Sequence, residues 1–187
     1  MGEQPLRNMD ASDIARNDGY SRLSVVTHWI AAIIVIALFL THEGERGSAA
    51  YVIHVSGGAL VGVFLLWRVW HRVRRGNSEK PYQIFVFKSL SQIVIWGLLV
   101  AIVVVVVSGY LLPWSLGRPL EIFGVIAIPS PMGSSPGFRE LLDKVHDISG
   151  TLFPPLILLH ILGTAKHAFI DKDGVASRMF KSVSGGR

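Results

Sequence analysis

The sequence predicts an all-α membrane protein, a four-transmembrane-helix bundle with both termini cytoplasmic. Three observations predict it. Of 187 residues, 50% are hydrophobic and 17% charged, a more apolar balance than a soluble domain of this size requires. Four stretches, 23–40, 51–70, 90–112 and 145–165, reach the roughly 20 apolar residues that cross a hydrocarbon core about 30 Å thick. Lys and Arg are unevenly distributed between the two ends of those stretches, as the positive-inside rule requires.

Taken in order, residues 1–20 are polar, mixed in charge and without apolar period, and read as a partly disordered cytoplasmic tail. The first apolar run follows more than twenty polar residues that include Asp10, Asp13 and Asp18, and it lacks a small-residue cleavage site. It therefore reads as a retained helix and not as a signal peptide. The connection 41–50 is short enough to make the first two helices antiparallel neighbours. The connection 72–87 is basic and inside. The connection 113–143 contains Pro113, Pro119, Pro129, Pro131 and Pro136, so it reads as a long periplasmic loop and not a fifth span; such loops are disproportionately functional. Its segment 120–128 is apolar enough to lie on the bundle mouth or in the interface. Pro154 and Pro155 interrupt the fourth span and predict a kink, which lets that helix bow around a bulky ligand. The membrane domain is expected over 21–170, followed by a cytoplasmic tail over 171–187.

The formal charge of +5 does not indicate nucleic acid. Three basic residues precede the first span (Arg7, Arg16, Arg22), six surround the second connection (Arg68, Arg72, Arg74, Arg75, Lys80, Lys88) and five lie at the C-terminal end (Lys166, Lys172, Arg178, Lys181, Arg187). Only Arg46, Arg118, Arg139 and Lys144 fall on the other side. Cysteine is absent, which removes disulfides, thiolate metal sites, iron–sulfur clusters and covalent c-type haem attachment. Any metal must be held by histidine, carboxylate or methionine.

Histidine carries the chemistry. Of seven histidines, four lie within apolar spans or at their edges, where an ionisable group costs a few kcal/mol without a partner. His28 is six residues beyond Arg22 and His160 six before Lys166, so each lies roughly 9 Å inside the inner boundary. His54 follows Ala50 by four residues and His146 follows Asp143 and Lys144 closely, placing both within about 6 Å of the outer boundary. On the fourth helix His146, His160 and His167 are 14 and 7 residues apart, spacings that keep all three on one stripe. The outcome is two layers of paired imidazoles roughly 20 Å apart along the axis.

A haem iron needs two axial donors on opposite faces of its ring, and facing helices of a bundle supply such pairs. A lone intramembrane histidine is more often a packing or proton-relay residue, but pairing in depth favours bis-histidine haem. Zinc would gather its ligands within one layer. Ser56, Gly57, Gly58 and Gly62 after His54, and Ser149 and Gly150 after His146, leave room for a flat macrocycle; the glycines also suit close helix packing. His42 reads as a solvated loop residue and His71 as interfacial. Trp29, Trp67, Trp70 and Trp114 read as aromatic-belt anchors. Arg68 reads as snorkelling inward, with a haem propionate as the other partner open to it.

Three segments, YSRLSVVTHW around His28, IHVSGG around His54, and KVHDISGTLFPPLILLHILGTAKHAFIDKDGVASRM with His146, His160 and His167, resemble the bacterial cytochrome b561 family. These are four-span di-haem, quinone-linked cytochromes that include the superoxide oxidase of enterobacterial inner membranes. The resemblance covers nearly all of residues 20–181. It implies two haem b, the outer held by His54 and His146 and the inner by His28 and His160, and a ubiquinone site on the cytoplasmic side to which His167 contributes. The family carries histidine early in the third span, where this chain has Ser89 and Gln92 with Lys88 adjacent, so Lys88 and Gln92 join His167 as the quinone-side residues expected here.

The expected activity is an oxidoreductase of the bacterial inner membrane. An electron donor, superoxide or another periplasmic one, meets the outer haem, and ubiquinone is reduced near the inner one. Arg118, Arg139 and Lys144 on the outer mouth would steer an anion, though Glu121, Glu140 and Asp143 sit among them. No residue is assigned as catalytic beyond the haem ligands. The rival expectation is a haem-bearing membrane anchor and electron-transfer subunit docked to a partner dehydrogenase or hydrogenase. A haem-free proton relay is a third, and predicts no visible absorption.

Overall fold

A computed structural model describes residues 20–75 and 85–180. Nearly all of the expected N-terminal tail, most of the second connection and the last seven residues lie outside the described residues. Four helices are each long and apolar enough to cross a membrane, which brings the start of the first and the end of the fourth to one face of the bundle, the terminal end; the opposite face is the loop end.

Helix α1 spans Arg22–Leu40, and the Ser21 hydroxyl accepts the amide of Ser24 at 3.3 Å to cap it. It stops at Thr41, whose amide turns back to the Leu38 carbonyl. Helix α2 spans Ala49–Arg75. Ser48 caps it by accepting the Tyr51 amide at 3.1 Å, and its first half contains a π turn over Ile53–Gly57. It runs past residue 70, where the apolar period ends, through Arg72, Arg74 and Arg75; cations suit the carbonyl end of a helix. Helix α3 spans Phe85–Trp114.

The expected loop 113–143 is shorter at both ends. Pro113 lies inside α3 and not at the start of a loop, because a proline one residue from the helix end removes little of the ladder. At the other end α4 spans Pro136–Asp171, beginning nine residues before position 145. Pro136 takes the first turn, where its missing N–H costs nothing. The early turns alternate Leu141 and Leu142 with Arg139, Glu140, Asp143 and Lys144, a mixed face that an apolar window does not register. A break at Leu152 precedes Pro154 and Pro155, and α4 closes with a second π turn over Lys166–Asp171, ended by left-handed Lys172 (φ 49°).

Between α3 and α4 the chain forms an antiparallel hairpin, β1 (Leu120–Ile122) and β2 (Ile126–Ile128). Its turn places Phe123 and Gly124 at φ 52° and 67°, the paired left-handed residues of a tight hairpin. Leu120 is buried at its base, while Val125 at its tip is 86% exposed. Ser56 on α2 reaches the Glu121 carbonyl at 3.4 Å, and Trp114 Nε1 donates to Ile128 O at 3.3 Å, so the hairpin lies across the loop end beside the π turn.

α1 packs on α2, α2 on α3, and α3 on α4. The α2–α3 seam is close at Gly62, where a Cβ would lie 2.9 Å from Tyr110 Cζ and from Val106 Cγ1; the Tyr110 hydroxyl donates to the Ala59 carbonyl at 2.9 Å. Gly97 does the same for α3 and α4 against Leu156, 3.2 Å from its virtual Cβ. Ala31, Ala59, Leu65, Val69, Val94 and Ala101 form the buried seam, while Ile33, Val63, Ile93 and Val100 point outward, as suits a bundle solvated by lipid. After α4 a short 3₁₀ turn, Ala176–Met179, folds back on α1: Trp29 Nε1 donates to the Met179 carbonyl at 3.0 Å, and the Trp29 and Phe180 rings meet at 5.5 Å.

Candidate cofactor site: two tiers of histidine

The four intramembrane histidines meet in two pairs. His54 on α2 and His146 on α4 face each other at the loop end, ring centres 6.1 Å apart and planes at 89°. His28 on α1 and His160 on α4 face each other toward the terminal end, ring centres 6.2 Å apart and planes at 62°. All four are half-buried.

At the loop end the second nitrogen of each ring is already engaged. His54 Nδ1 lies 2.8 Å from the Leu38 carbonyl; a carbonyl only accepts, so Nδ1 carries the proton and Nε2 keeps its lone pair. His146 Nδ1 lies 3.0 Å from Ser108 Oγ. The single hydroxyl proton of Ser108 is directed at the Val104 carbonyl at 2.7 Å, so Ser108 Oγ accepts from His146 Nδ1 and the same tautomer results. Both rings thus present a bare Nε2, the arrangement seen when the outer nitrogen of a metal-ligating histidine donates to an oxygen. Gly109 on α3 makes room for the second ring, since a Cβ there would lie 3.3 Å from His146 Cε1. No such bond to His28 or His160 is present among the described residues.

The family model for prokaryotic cytochrome b561 matches residues 19–182. The chain belongs to that family. It is similar to the cytochrome b561 homolog 2 of Escherichia coli K12, with 26% identity over 177 residues that cover 88% of this chain and 93% of that protein. As a prokaryotic cytochrome b561 it is a multi-pass bacterial membrane protein that binds haem b and transfers electrons.

The residues present fit that cofactor. A metal about 2 Å from each of two imidazole nitrogens puts the ring centres roughly 6 Å apart, which is the spacing of both pairs. α4 approaches α1 and α2 far less closely than it approaches α3. Of the small residues expected to flank a macrocycle, Gly57 and Gly58 would accept a Cβ at ordinary contact distance from Ile53 and Leu38, Gly150 faces open space, and Gly62 serves the α2–α3 seam. Ser56 and Ser149 are buried and bonded to backbone carbonyls. Ser108, Gly109 and the Leu38 carbonyl were missed in the sequence; the Ser-Gly-Tyr interruption of the valine run 103–107 was the available signal.

At the terminal end of this cytochrome b561, His167 sits in an acidic cluster: its Nδ1 is 2.7 Å from Asp173 Oδ2 and 3.4 Å from Asp171 Oδ2. One ligand atom from each of His167, Asp171 and Asp173 lies within 4.8 Å of the others, but Lys166 Nζ already binds both Asp171 oxygens, at 2.7 and 2.6 Å, and completes an ion-pair network. Lys166 also lies 4.6 Å over the Phe87 ring, which brings the start of α3, with exposed Lys88 and half-buried Gln92, to the same end. Burial pushes the Asp173 carboxyl up, but the Val175 N–H and the His167 ring outweigh it and hold the group below its ordinary value. A depressed carboxyl adds stability that is present at neutral pH and lost as pH falls through the folded value, so Asp173→Asn is expected to cost about 0.5–1 kcal/mol at pH 7. The difference in thermal midpoint from the unsubstituted protein should shrink below about pH 4; a gap unchanged by pH would show that this carboxylate does not contribute.

At the loop end Arg139 is clamped by Asp143 (Nε–Oδ2 2.7 Å, Nη2–Oδ1 2.8 Å) and bonded to the Leu112 carbonyl at 3.3 Å, while Lys144 pairs with Glu140 at 2.8 Å. These i,i+4 pairs cancel most of their charge at a distance. Arg118, exposed after α3, makes no ion pair among the described residues. His42 stacks on Phe39 at 4.9 Å and bonds its carbonyl, and His71 stacks on Trp67 at 5.3 Å.

Proposed function

We propose that this cytochrome transfers electrons across the inner membrane from a periplasmic donor to ubiquinone at the cytoplasmic end, with superoxide as donor and oxygen as product. One haem b lies between His54 and His146 and a second between His28 and His160; when bound they supply reversible one-electron carriers. The meeting of imidazoles in two tiers supports this reading most directly. Both termini are cytoplasmic, because 14 of the 18 Lys and Arg residues belong to that side. Two superoxide anions give up one electron each, and a quinone takes both electrons with two protons from the cytoplasm. Arg118 contributes attraction for the anion, while His167, Lys88 and Gln92 line the quinone end.

Inward flow is supported by an asymmetry between the tiers. The loop-end imidazoles both donate Nδ1–H to oxygen, which raises ligand basicity and favours ferric iron. The other pair lacks such bonds among the described residues. The cytoplasmic site therefore has the greater electron affinity.

Stopped-flow mixing of the oxidised protein with a superoxide pulse tests the donor. Rapid appearance of the reduced haem spectrum is expected, with Arg118→Glu slowing the second-order rate about tenfold at low salt; a haem that stays oxidised sinks the proposal. The exposed apolar tip formed by Phe123, Val125 and Ile126 favours a second reading, a haem-bearing subunit docked to a partner dehydrogenase or hydrogenase. A stable partner chain in gentle purification from native membranes, together with inertness to superoxide, would select it.

A further inference from the structure

Two buried side-chain nitrogens lack a hydrogen-bond partner among the described residues, Arg68 Nε and His71 Nδ1. A buried polar nitrogen without a partner is costly, more so on a charged group, so two on one element call for a cause. Arg68 and His71 are i and i+3 on α2 and share a face. Arg68 lies 14 residues beyond His54, as His160 lies 14 beyond His146, and 14 residues is close to four full turns or roughly 21 Å. On α2, therefore, Arg68 occupies the depth that His160 occupies on α4. It stands at about the level of the His28–His160 pair.

The chemistry of the donor set is specific. A guanidinium edge and an imidazole N–H both suit an anionic oxygen, and arginine suits a carboxylate because its donors form a fixed planar fork. Neighbouring cations on α2 are otherwise engaged: Arg75 donates to Ser21 Oγ at 2.6 Å, and Arg74 lies 4.7 Å over the Trp70 ring. Acidic side chains are absent from α1 and α2, so neither helix supplies a carboxylate at this level.

We infer that Arg68 and His71 form a carboxylate-receiving site that anchors the propionate edge of the haem at the His28–His160 tier. The inference rests on the haem reading above. Beyond anchoring, the fixed positive charge beside this tier stabilises the reduced iron and raises its electron affinity, in the same sense as the asymmetry of the imidazole bonds.

Arg68→Leu, Arg68→Lys and His71→Gln, each purified as holoprotein, test it, with Arg74→Leu as control. The readouts are haem content by pyridine haemochrome, spectropotentiometric titration, and the propionate-bending band in resonance Raman spectra. Arg68→Leu is expected to lower the midpoint of one of the two haems and shift the propionate band, Arg68→Lys to retain most of the midpoint, and Arg74→Leu to change neither. Should Arg68→Leu fail to accumulate, His71→Gln still moves the Raman band. Unchanged midpoints and bands in a di-haem protein overturn the propionate site, and a loss of tightly bound anionic phospholipid in their place assigns the two donors to a lipid phosphate. A wild-type protein without haem overturns the haem reading itself, a different outcome.

Discussion

Alanine at His54 or at His160 is expected to leave the protein with one haem in place of two. Each residue is one half of a facing pair, at 6.1 Å and 6.2 Å respectively, and no other histidine among the described residues meets the abandoned partner. Removal of a mere outer-sphere partner typically costs 10–100-fold in metal affinity, so loss of an axial ligand should cost more. Haem per chain should halve, and electron transfer from the loop end to quinone should fall at least ~100-fold. The two variants lose different species, so their reduced-minus-oxidised spectra should sum to that of the parent. His42→Ala, a ring stacked on Phe39 outside the tiers, should keep both haems. Full haem content in either tier variant would exclude ligation by that residue.

Gly109→Leu should be nearly as damaging at one tier while sparing the other. Even a methyl at that position would sit 3.3 Å from His146 Cε1, so the ring must yield by a few tenths of an ångström, and the larger leucine side chain adds to the crowding. Displaced, His146 loses both its bond to Ser108 and its alignment with His54. We expect loss of the outer haem with retention of the inner, and a fall in folding stability of about 1–3 kcal/mol from overpacking. Gly109→Ala should be intermediate. Spectra showing both haems intact in Gly109→Leu would mean that α3 does not press on the ring as described.

The sequence was a good guide to whatever is laid out along a single helix. The four spans are recovered because a long apolar run of sufficient length has one membrane solution, and the depths of His28, His54, His146 and His160 follow from counting residues at a fixed rise. Its errors lie where polarity hides helix: residues 136–144 are helical although mixed in charge, and Pro113 is inside α3. The hairpin was not legible because its turn is Phe123-Gly124, and a bulky aromatic is an unusual residue at positive φ. The cancellation of Arg139 and Lys144 by Asp143 and Glu140 required knowing that this stretch is helical, since only then do residues four apart become neighbours.

What the chain determined unaided is an inventory ordered by depth: four apolar rods, two levels of imidazole and a positive side. Which groups touch across those rods was decided by tertiary structure alone. Nothing in the sequence nominates the Leu38 carbonyl, Ser108, Gly109 or the unpartnered Nε of Arg68 as neighbours of the tiers. The reason is rotational: spans that are apolar all round bear no amphipathic stripe to fix which face turns inward, and helix rotation and crossing are set by close contacts such as Gly62 on Tyr110 and Gly97 on Leu156.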